Sequence, residues 1–171
     1  LENNYGSIVI NDSDHINPIP TLVESLRNKI IIDISCGWGH SAIITKNHDV
    51  YICGRNSRGQ LGINPDYCQK NKYGHQYINI FTRIESLSGL NIIKIECGGE
   101  HTAAITKNGT LYLWGDYNKN KFGNNNYASD TSDSSDRYHW EPLLIEGNPY
   151  IGKVVNMSLG HNVTYLLTQF D

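Results

Sequence analysis

The sequence lacks the features that mark several common protein classes. It has one methionine and five prolines in 171 residues, and its four cysteines form no C-x-x-C pair, which argues against a disulfide framework. Its longest apolar stretch, residues 29–34, is far shorter than the about 20 residues of a membrane-spanning helix. No signal peptide is visible. We therefore expect reduced thiols, no membrane partner and an intracellular location, nuclear or cytoplasmic.

Motifs of catalysis and phosphate binding are also missing. The patterns GxxxxGK[ST], GxGxxG and GxSxG do not occur, and the spacing of Gly54 and Gly59 does not fit a phosphate-binding loop. The formal net charge of −3 provides no excess of lysine and arginine to neutralise nucleic-acid phosphates. The sequence thus predicts a protein that is not an enzyme, with no catalytic residue, no metal and no cofactor.

The chain does contain an internal repeat. Residues 34–47 return as residues 95–108, so that Gly37 matches Gly98 at an offset of 98 − 37 = 61 residues. A third, partial copy is shifted by one further residue. The repeat divides the chain into the tail of a preceding repeat with a loop (1–19), a repeat (20–80), a repeat with a polar insertion (81–141) and a partial repeat (142–171).

Each copy has short runs of β-branched and aromatic residues separated by glycine, asparagine and aspartate, which is the pattern of strands. In the first copy we predict strands at residues 31–36, 41–46 and 50–53, with a fourth near 21–24. Units of four antiparallel strands that recur at a fixed period are typical of an all-β propeller, in which about 4 to 8 blades surround a channel. The sequence therefore predicts propeller blades.

The connections between these strands carry their own signals. Asn108-Gly109 predicts a two-residue type I′ hairpin turn, which needs a positive φ at both residues. Residues 62–80 and 123–140 are predicted to be projecting loops. The segment 118–137 is rich in asparagine, aspartate and serine and is predicted to be a disordered insertion, with a regulated acidic docking loop as the alternative.

Recurring glycine and histidine residues are predicted to be structural. Cys36/His40 and Cys97/His101 occupy the same repeat positions, and this recurrence favours packing over a zinc site or a thiol nucleophile. We expect both histidines to hydrogen-bond backbone at the end of a blade. The predicted structural positions are Gly37, His40, Gly54, Gly59, Gly62, Gly98, His101, Gly115 and Gly123.

The repeat resembles that of the regulator of chromosome condensation 1 family. The shared motifs are Cys-Gly-x-x-His-[Ser/Thr]-Ala-x-Ile-Thr, [Val/Leu]-Tyr-x-x-Gly, and Gly-Gln-Leu-Gly at residues 59–62. The third copy departs from the pattern, with Val163 in place of the histidine. The resemblance implies a seven-bladed propeller of four-stranded antiparallel blades, of which about three repeats are present. The remaining blades are then expected in the same chain or in another one.

The family includes exchange factors for the small GTPase Ran, a plant ultraviolet photoreceptor, and modules of ubiquitin ligases and kinases. The resemblance implies a protein-binding propeller that acts through loops on one face, with a Ran-type GTPase as a candidate partner. The alternative is a regulatory or substrate-binding domain of a larger multidomain protein. Chromatin is disfavoured as a partner, because family members bind it through basic segments that this sequence lacks.

The photoreceptor branch has a similar Gly-Trp-x-His motif that places tryptophans on one propeller face. We predict that Trp38 and its neighbours at the same turn of each copy bind a protein partner, because exposed aromatic residues are enriched at interfaces. The alternative for Trp38 is local packing of its ring. A tryptophan cluster for light absorption is not predicted, since only one copy carries the residue. The predicted partner-binding residues are Trp38, Gly39, Glu100, His161 and Asn162.

Overall fold

The computed structural model describes residues 22–117, 138–146 and 152–170. In these ranges no helix is long and apolar enough to cross a membrane. One-turn 3₁₀ helices cover Glu24–Leu26, Pro65–Tyr67 and Glu85–Leu87. The strands are β1 (Ile31–Cys36), β2 (His40–Thr45), β3 (Val50–Arg55), β4 (Gln69–Lys70), β5 (Gln76–Arg83), β6 (Ile92–Cys97), β7 (His101–Thr106), β8 (Leu111–Asp116), β9 (Tyr138–Leu144), β10 (Lys153–Leu159) and β11 (Thr164–Gln169). The predictions for Gly123 and for the polar segment 118–137 lie outside the described residues.

The strands form three antiparallel sheets, which we call blades 1, 2 and 3. Blade 1 has the order β1-β2-β3-β5 with the short β4 at its edge, blade 2 has the order β6-β7-β8-β9, and blade 3 contains β10 and β11. Their first strands begin at Ile31, Ile92 and Lys153, so the blades recur every 61 residues (92 − 31 and 153 − 92). The predicted all-β fold of four-stranded antiparallel blades is confirmed.

The fourth strand of a blade follows the third strand along the chain. The strand predicted near residues 21–24 is wrong, because Leu22 and Val23 lie outside any strand and Glu24 begins a 3₁₀ helix. The chain after β3 reverses direction and returns as β5, which pairs antiparallel with β3. Residues 62–80 are therefore only in part a loop, since they include β4 and the start of β5.

The turn between β7 and β8 also differs from its prediction. Only Gly109 has a positive φ, of 84°, and Asn108 does not. The N–H of Gly109 donates to the carbonyl of Thr106 at 2.9 Å, as in a three-residue loop that ends in a left-handed residue. The type I′ prediction is wrong because the loop holds one residue more. At the same position blade 1 has His48, with a φ of 64°.

The hydrophobic core lies between blades. Adjacent blades share clusters of fully buried side chains, and each such residue stabilises the fold by about 1.5–3 kcal/mol relative to exposure. The cluster between blades 1 and 2 includes Ile44, Ile52, Leu61, Ile92, Ile95 and Trp114. The cluster between blades 2 and 3 includes Ile105, Leu111, Leu113, Val154 and Met157.

Blades 1 and 3 each expose an apolar face. Ile34 is 62% exposed, although Ile95, at the same position of blade 2, is 1% exposed where it packs against blade 1. On blade 3, Leu167 is exposed, whereas its counterpart Ile105 is buried between blades 2 and 3. These faces thus carry the kinds of side chain that elsewhere hold two blades together.

Gly37 lies at a close approach of the backbones of blades 1 and 2. A Cβ at this position would overlap the carbonyl oxygen of Gly98, which also accepts the Trp38 N–H at 3.2 Å. We expect Gly37→Ala to lower the free energy of unfolding by up to about 3 kcal/mol, because the two backbones must separate.

Gly89→Ala is the control for this substitution. Gly89 has a φ of 77° and a Cβ there would meet nothing within 4 Å, so only the strain of about 1 kcal/mol is expected. Urea denaturation of both variants measures the difference. Equal losses of stability would contradict the close approach of the two blades.

Candidate functional site

The turns between the first and second strands of the three blades lie next to one another. In each turn a glycine N–H donates to the carbonyl three residues later: Gly37 to His40 at 2.8 Å, Gly98 to His101 at 2.8 Å and Gly160 to Val163 at 2.9 Å. This bond leaves two residues at the tip of each turn. The tips are Trp38-Gly39, Gly99-Glu100 and His161-Asn162.

Trp38 is the most prominent side chain at these tips. It is 66% exposed, yet its ring has defined neighbours. The His161 ring meets it edge-on, with centroids 6.2 Å apart and an interplanar angle of 77°. The guanidinium carbon of Arg55 lies 5.2 Å from the centroid of the Trp38 ring, within the range of a cation–π contact.

Two arginines of blade 1 complete the site. Arg55 Nη1 lies 3.3 Å from Glu100 Oε1, and Arg58 Nε lies 3.9 Å from Glu100 Oε2. Glu100 belongs to blade 2, so these ion pairs cross the boundary between two blades. We call the set Trp38, Arg55, Arg58, Glu100 and His161 the tip face.

The structure brings three of the predicted partner-binding residues together at the tip face: Trp38, Glu100 and His161. Asn162 is exposed at the third tip. Gly39 is buried, and its carbonyl accepts the Arg55 N–H at 2.7 Å. In the structure the backbone of Gly39 anchors the end of β3, and its role as a contact residue stays a prediction.

The sequence reasoning missed Arg55 and Arg58. Arg55 ends the third strand of blade 1 and Arg58 lies in the loop after it, and no motif links them to Trp38. The pairing of His40 with Gly54 across β2 and β3 places the next residue, Arg55, beside the tip. A predicted strand register could therefore have found Arg55, but not the contact of either arginine with Glu100.

The predicted structural glycines lie at the ends of strands and in the loop after β3. Gly54 and Gly115 have φ angles of 111° and 94°, and a Cβ at either would overlap the carbonyl of the neighbouring tip residue, Gly39 or Glu100. Gly59 and Gly62 have φ angles of 69° and 67°. Between them the Gln60 carbonyl accepts bonds from two side chains of blade 2: Thr102 Oγ1 at 2.7 Å and Trp114 Nε1 at 3.0 Å.

His40 and His101 connect successive blades. His40 Nε2 lies 2.9 Å from Thr102 Oγ1, and His101 Nε2 lies 3.1 Å from Thr164 Oγ1. We predicted backbone partners for both histidines, but their Nε2 atoms instead contact threonine hydroxyls of the next blade. Burial, and next the nearby His101, lower the pKa of His40 from 6.5 to about 3, so His40 is neutral at physiological pH.

This low pKa predicts that acid weakens the fold. The unfolded chain binds a proton at His40 near pH 6.5 and the folded chain only near pH 3. Between these values the unfolded state holds more protons, so stability falls as the pH falls. From pH 7 to pH 5 the expected loss from His40 is about 2 kcal/mol.

His40→Gln tests this pH dependence. The variant should be less stable at pH 7, and its stability should fall less steeply with acid than that of the parent protein. Urea unfolding of both proteins at pH 7, 6 and 5 measures the two slopes. Parallel pH curves would contradict the assignment to His40.

The two buried cysteines, Cys53 and Cys97, are poorly suited to covalent chemistry. Burial raises the pKa of Cys53 from 9.0 to about 12, and burial likewise raises the pKa of Cys97. A thiol in such a setting is a poor nucleophile, because the thiolate is the reactive form. Within the described ranges, no three or more His, Cys, Asp or Glu side chains are grouped to hold a metal ion.

Comparison with known proteins identifies a repeat family that matches this chain. Two models described as the regulator of chromosome condensation (RCC1) repeat match the chain, one at residues 2–44 and 47–105 and the other at residues 31–60 and 92–124. The mouse E3 ubiquitin-protein ligase HERC2 is 33% identical over 129 residues, 72% of this chain. The mouse probable E3 ubiquitin-protein ligase HERC4 is 31% identical over 151 residues, 88% of this chain.

A solved structure shares the fold. The chain matches Prp20p from Saccharomyces cerevisiae with a TM-score of 0.72 and 20% identity, covering 99% of this chain and 39% of that one. The predicted RCC1-type propeller fold is thereby confirmed. This chain spans only 2% of the length of HERC2 and 13% of that of HERC4.

Proposed function

Because the chain belongs to the regulator of chromosome condensation (RCC1) repeat family, we propose that it is part of a protein-binding propeller domain within a larger multidomain protein. Its ligase relatives are much longer than this chain. In such a protein the propeller selects the partner, while any catalysis resides elsewhere. The main support is Trp38 at the tip face, which is exposed and whose ring contacts His161 and Arg55.

Trp38 has the properties of an interface hot spot. Tryptophan and arginine are enriched at such positions, where a few side chains supply most of the binding free energy. Trp38 is exposed while its ring already contacts His161 and Arg55. A partner therefore meets an aromatic surface whose orientation is largely set before binding, which reduces the entropy lost on association.

The exposed faces of blades 1 and 3 support membership in a larger propeller. Ile34 and Leu167 are exposed at positions that are buried between blades elsewhere in the chain. Further blades, in the same chain or another, would cover these side chains and complete the ring. The tip face lies within blades 1 to 3, so its main contacts are formed before any such addition.

The full-length protein with Trp38→Ala tests the proposal. We expect a reproducible set of proteins that co-purify with the parent protein to be lost from the variant. The matched control is Tyr67→Ala, which removes an even more exposed aromatic residue from the connection between β3 and β4. Identical sets of proteins for parent and Trp38→Ala would contradict binding through the tip face.

Guanine-nucleotide exchange on a Ran-type GTPase is a more specific function than partner binding, and it stays a prediction. Prp20p has binding properties to Gsp1p and histones. The similarity of this chain to Prp20p is one of fold. A nucleotide-release assay with the full-length protein and a Ran-type GTPase tests the activity. Accelerated release would support exchange, and unchanged release would leave partner binding as the function.

A further inference from the structure

One ion pair of the tip face joins two blades and also touches the exposed tryptophan. Arg55 of blade 1 and Glu100 of blade 2 are 3.3 Å apart, and their side chains are only 13% and 21% exposed. The same guanidinium lies 5.2 Å from the Trp38 ring centroid. Glu100 is thereby linked to Trp38 through Arg55.

We propose that Glu100 is a positioning residue: its carboxylate holds the Arg55 guanidinium against Trp38 and so fixes the orientation in which Trp38 meets a partner. This inference rests on the proposed function of Trp38 as a protein contact. It assigns Glu100 a role different from direct contact with that partner, and it adds Arg55 as the group through which Glu100 acts.

The backbone of Glu100 is itself firmly held. Its carbonyl accepts the Asp116 N–H at 2.8 Å and lies where Gly115 has no side chain. The backbone from which the Glu100 side chain extends is therefore fixed. The carboxylate also lies 3.9 Å from Arg58 Nε. Arginine has many rotamers, and ordering it costs free energy, so a fixed carboxylate that is partly shielded from water restricts Arg55 before a partner arrives.

The arrangement does not recur in the repeat. The counterpart of Glu100 is Gly39 in blade 1 (39 + 61 = 100), and the counterpart of Arg55 is Asp116 in blade 2 (55 + 61 = 116). By contrast, the His40 contact with the next blade recurs at His101. A contact needed to pack every blade would recur, so the Arg55–Glu100 pair serves a local purpose at Trp38.

The experiment follows Trp38 directly, in the full-length protein labelled with 5-fluorotryptophan. Its ¹⁹F resonance is assigned with Trp38→Phe. Glu100→Gln is expected to shift and narrow this resonance, because the ring loses an ordered neighbour, and Arg55→Ala is expected to do the same. Salt at about 1 M, where the Debye length is about 3 Å, should move the parent resonance in the same direction but by less than Glu100→Gln, because partly shielded pairs are screened less.

Glu96→Gln is the matched control. Glu96 also lies in blade 2, is similarly shielded and pairs with a cation, Lys94, at 3.5 Å. It should leave the Trp38 resonance unchanged, and the resonance of the buried Trp114 should stay fixed in every variant. An unchanged Trp38 resonance in Glu100→Gln, or an equal change in Glu96→Gln, would overturn the proposal.

Binding measurements test the positioning role of Glu100 separately from the proposed binding function of Trp38. For a partner that depends on Trp38, Glu100→Gln should weaken binding by about two- to tenfold, the cost of ordering one side chain. If Glu100→Gln moves the resonance but Trp38→Ala leaves every partner bound, the binding function fails while the positioning role stands. If Trp38→Ala removes the partner and Glu100→Gln neither moves the resonance nor weakens binding, the positioning role fails alone.

Discussion

Trp114→Ala is expected to lower the free energy of unfolding by about 3–5 kcal/mol, the usual cost of truncating a large buried aromatic residue. Trp114 is fully buried in the cluster between blades 1 and 2. Its indole N–H also donates to the Gln60 carbonyl at 3.0 Å. The substitution would therefore leave a cavity and remove a hydrogen bond at the boundary where two blades meet.

Trp114→Phe separates these two contributions. Phenylalanine fills much of the volume but cannot donate to Gln60, so we expect a smaller loss, with about 1 kcal/mol from the hydrogen bond. Urea denaturation followed by far-ultraviolet circular dichroism measures both variants. A loss below about 1 kcal/mol for Trp114→Ala would contradict packing between blades as the main source of stability.

Trp38→Ala should have the opposite profile, with a large effect on binding and a small one on stability. Trp38 is exposed, so its removal should change the free energy of unfolding by less than about 0.5 kcal/mol. As a hot spot it should supply at least about 2 kcal/mol of binding free energy, which raises the dissociation constant about 30-fold.

Isothermal titration of the full-length protein with a co-purified partner measures this change. Tyr67→Ala, at an even more exposed aromatic residue, should keep the dissociation constant of the parent protein. Thermal unfolding of the same samples shows that both variants remain folded. An unchanged dissociation constant for Trp38→Ala would mean that this partner binds elsewhere.

The sequence predicts the blades well because the repeat imposes the same contacts at a constant offset. Predicted strands 31–36, 41–46 and 50–53 correspond to β1, β2 and β3 with shifts of at most two residues at their ends. The fourth strand was misplaced, since Leu22 and Val23 lie outside any strand and Glu24 begins a 3₁₀ helix, whereas blade 1 takes its fourth strand, β5, from residues 76–83. Which edge such a strand joins depends on the path of the preceding connection, which local patterns do not encode.

The tip face was predictable only in part. Trp38 and His161 directly follow the recurring glycine of their copies, and Glu100 comes two residues after it, so the same two-residue turn tip brings them together. Arg55 and Arg58 belong to another strand and its loop, and they reach Glu100 across a blade boundary. Such a contact depends on side-chain direction and on the distance between blades, neither of which a single sequence reveals.

The most direct test of the protein-binding tip face is photo-crosslinking in the full-length protein. A benzophenone amino acid is placed at position 38 or, in a separate protein, at position 67, and crosslinked products from cells are compared. If the tip face binds a partner, the probe at position 38 should form a discrete crosslinked product. The probe at position 67 should not form this product. Absence of any product specific to position 38 would contradict the assignment of this face to partner binding.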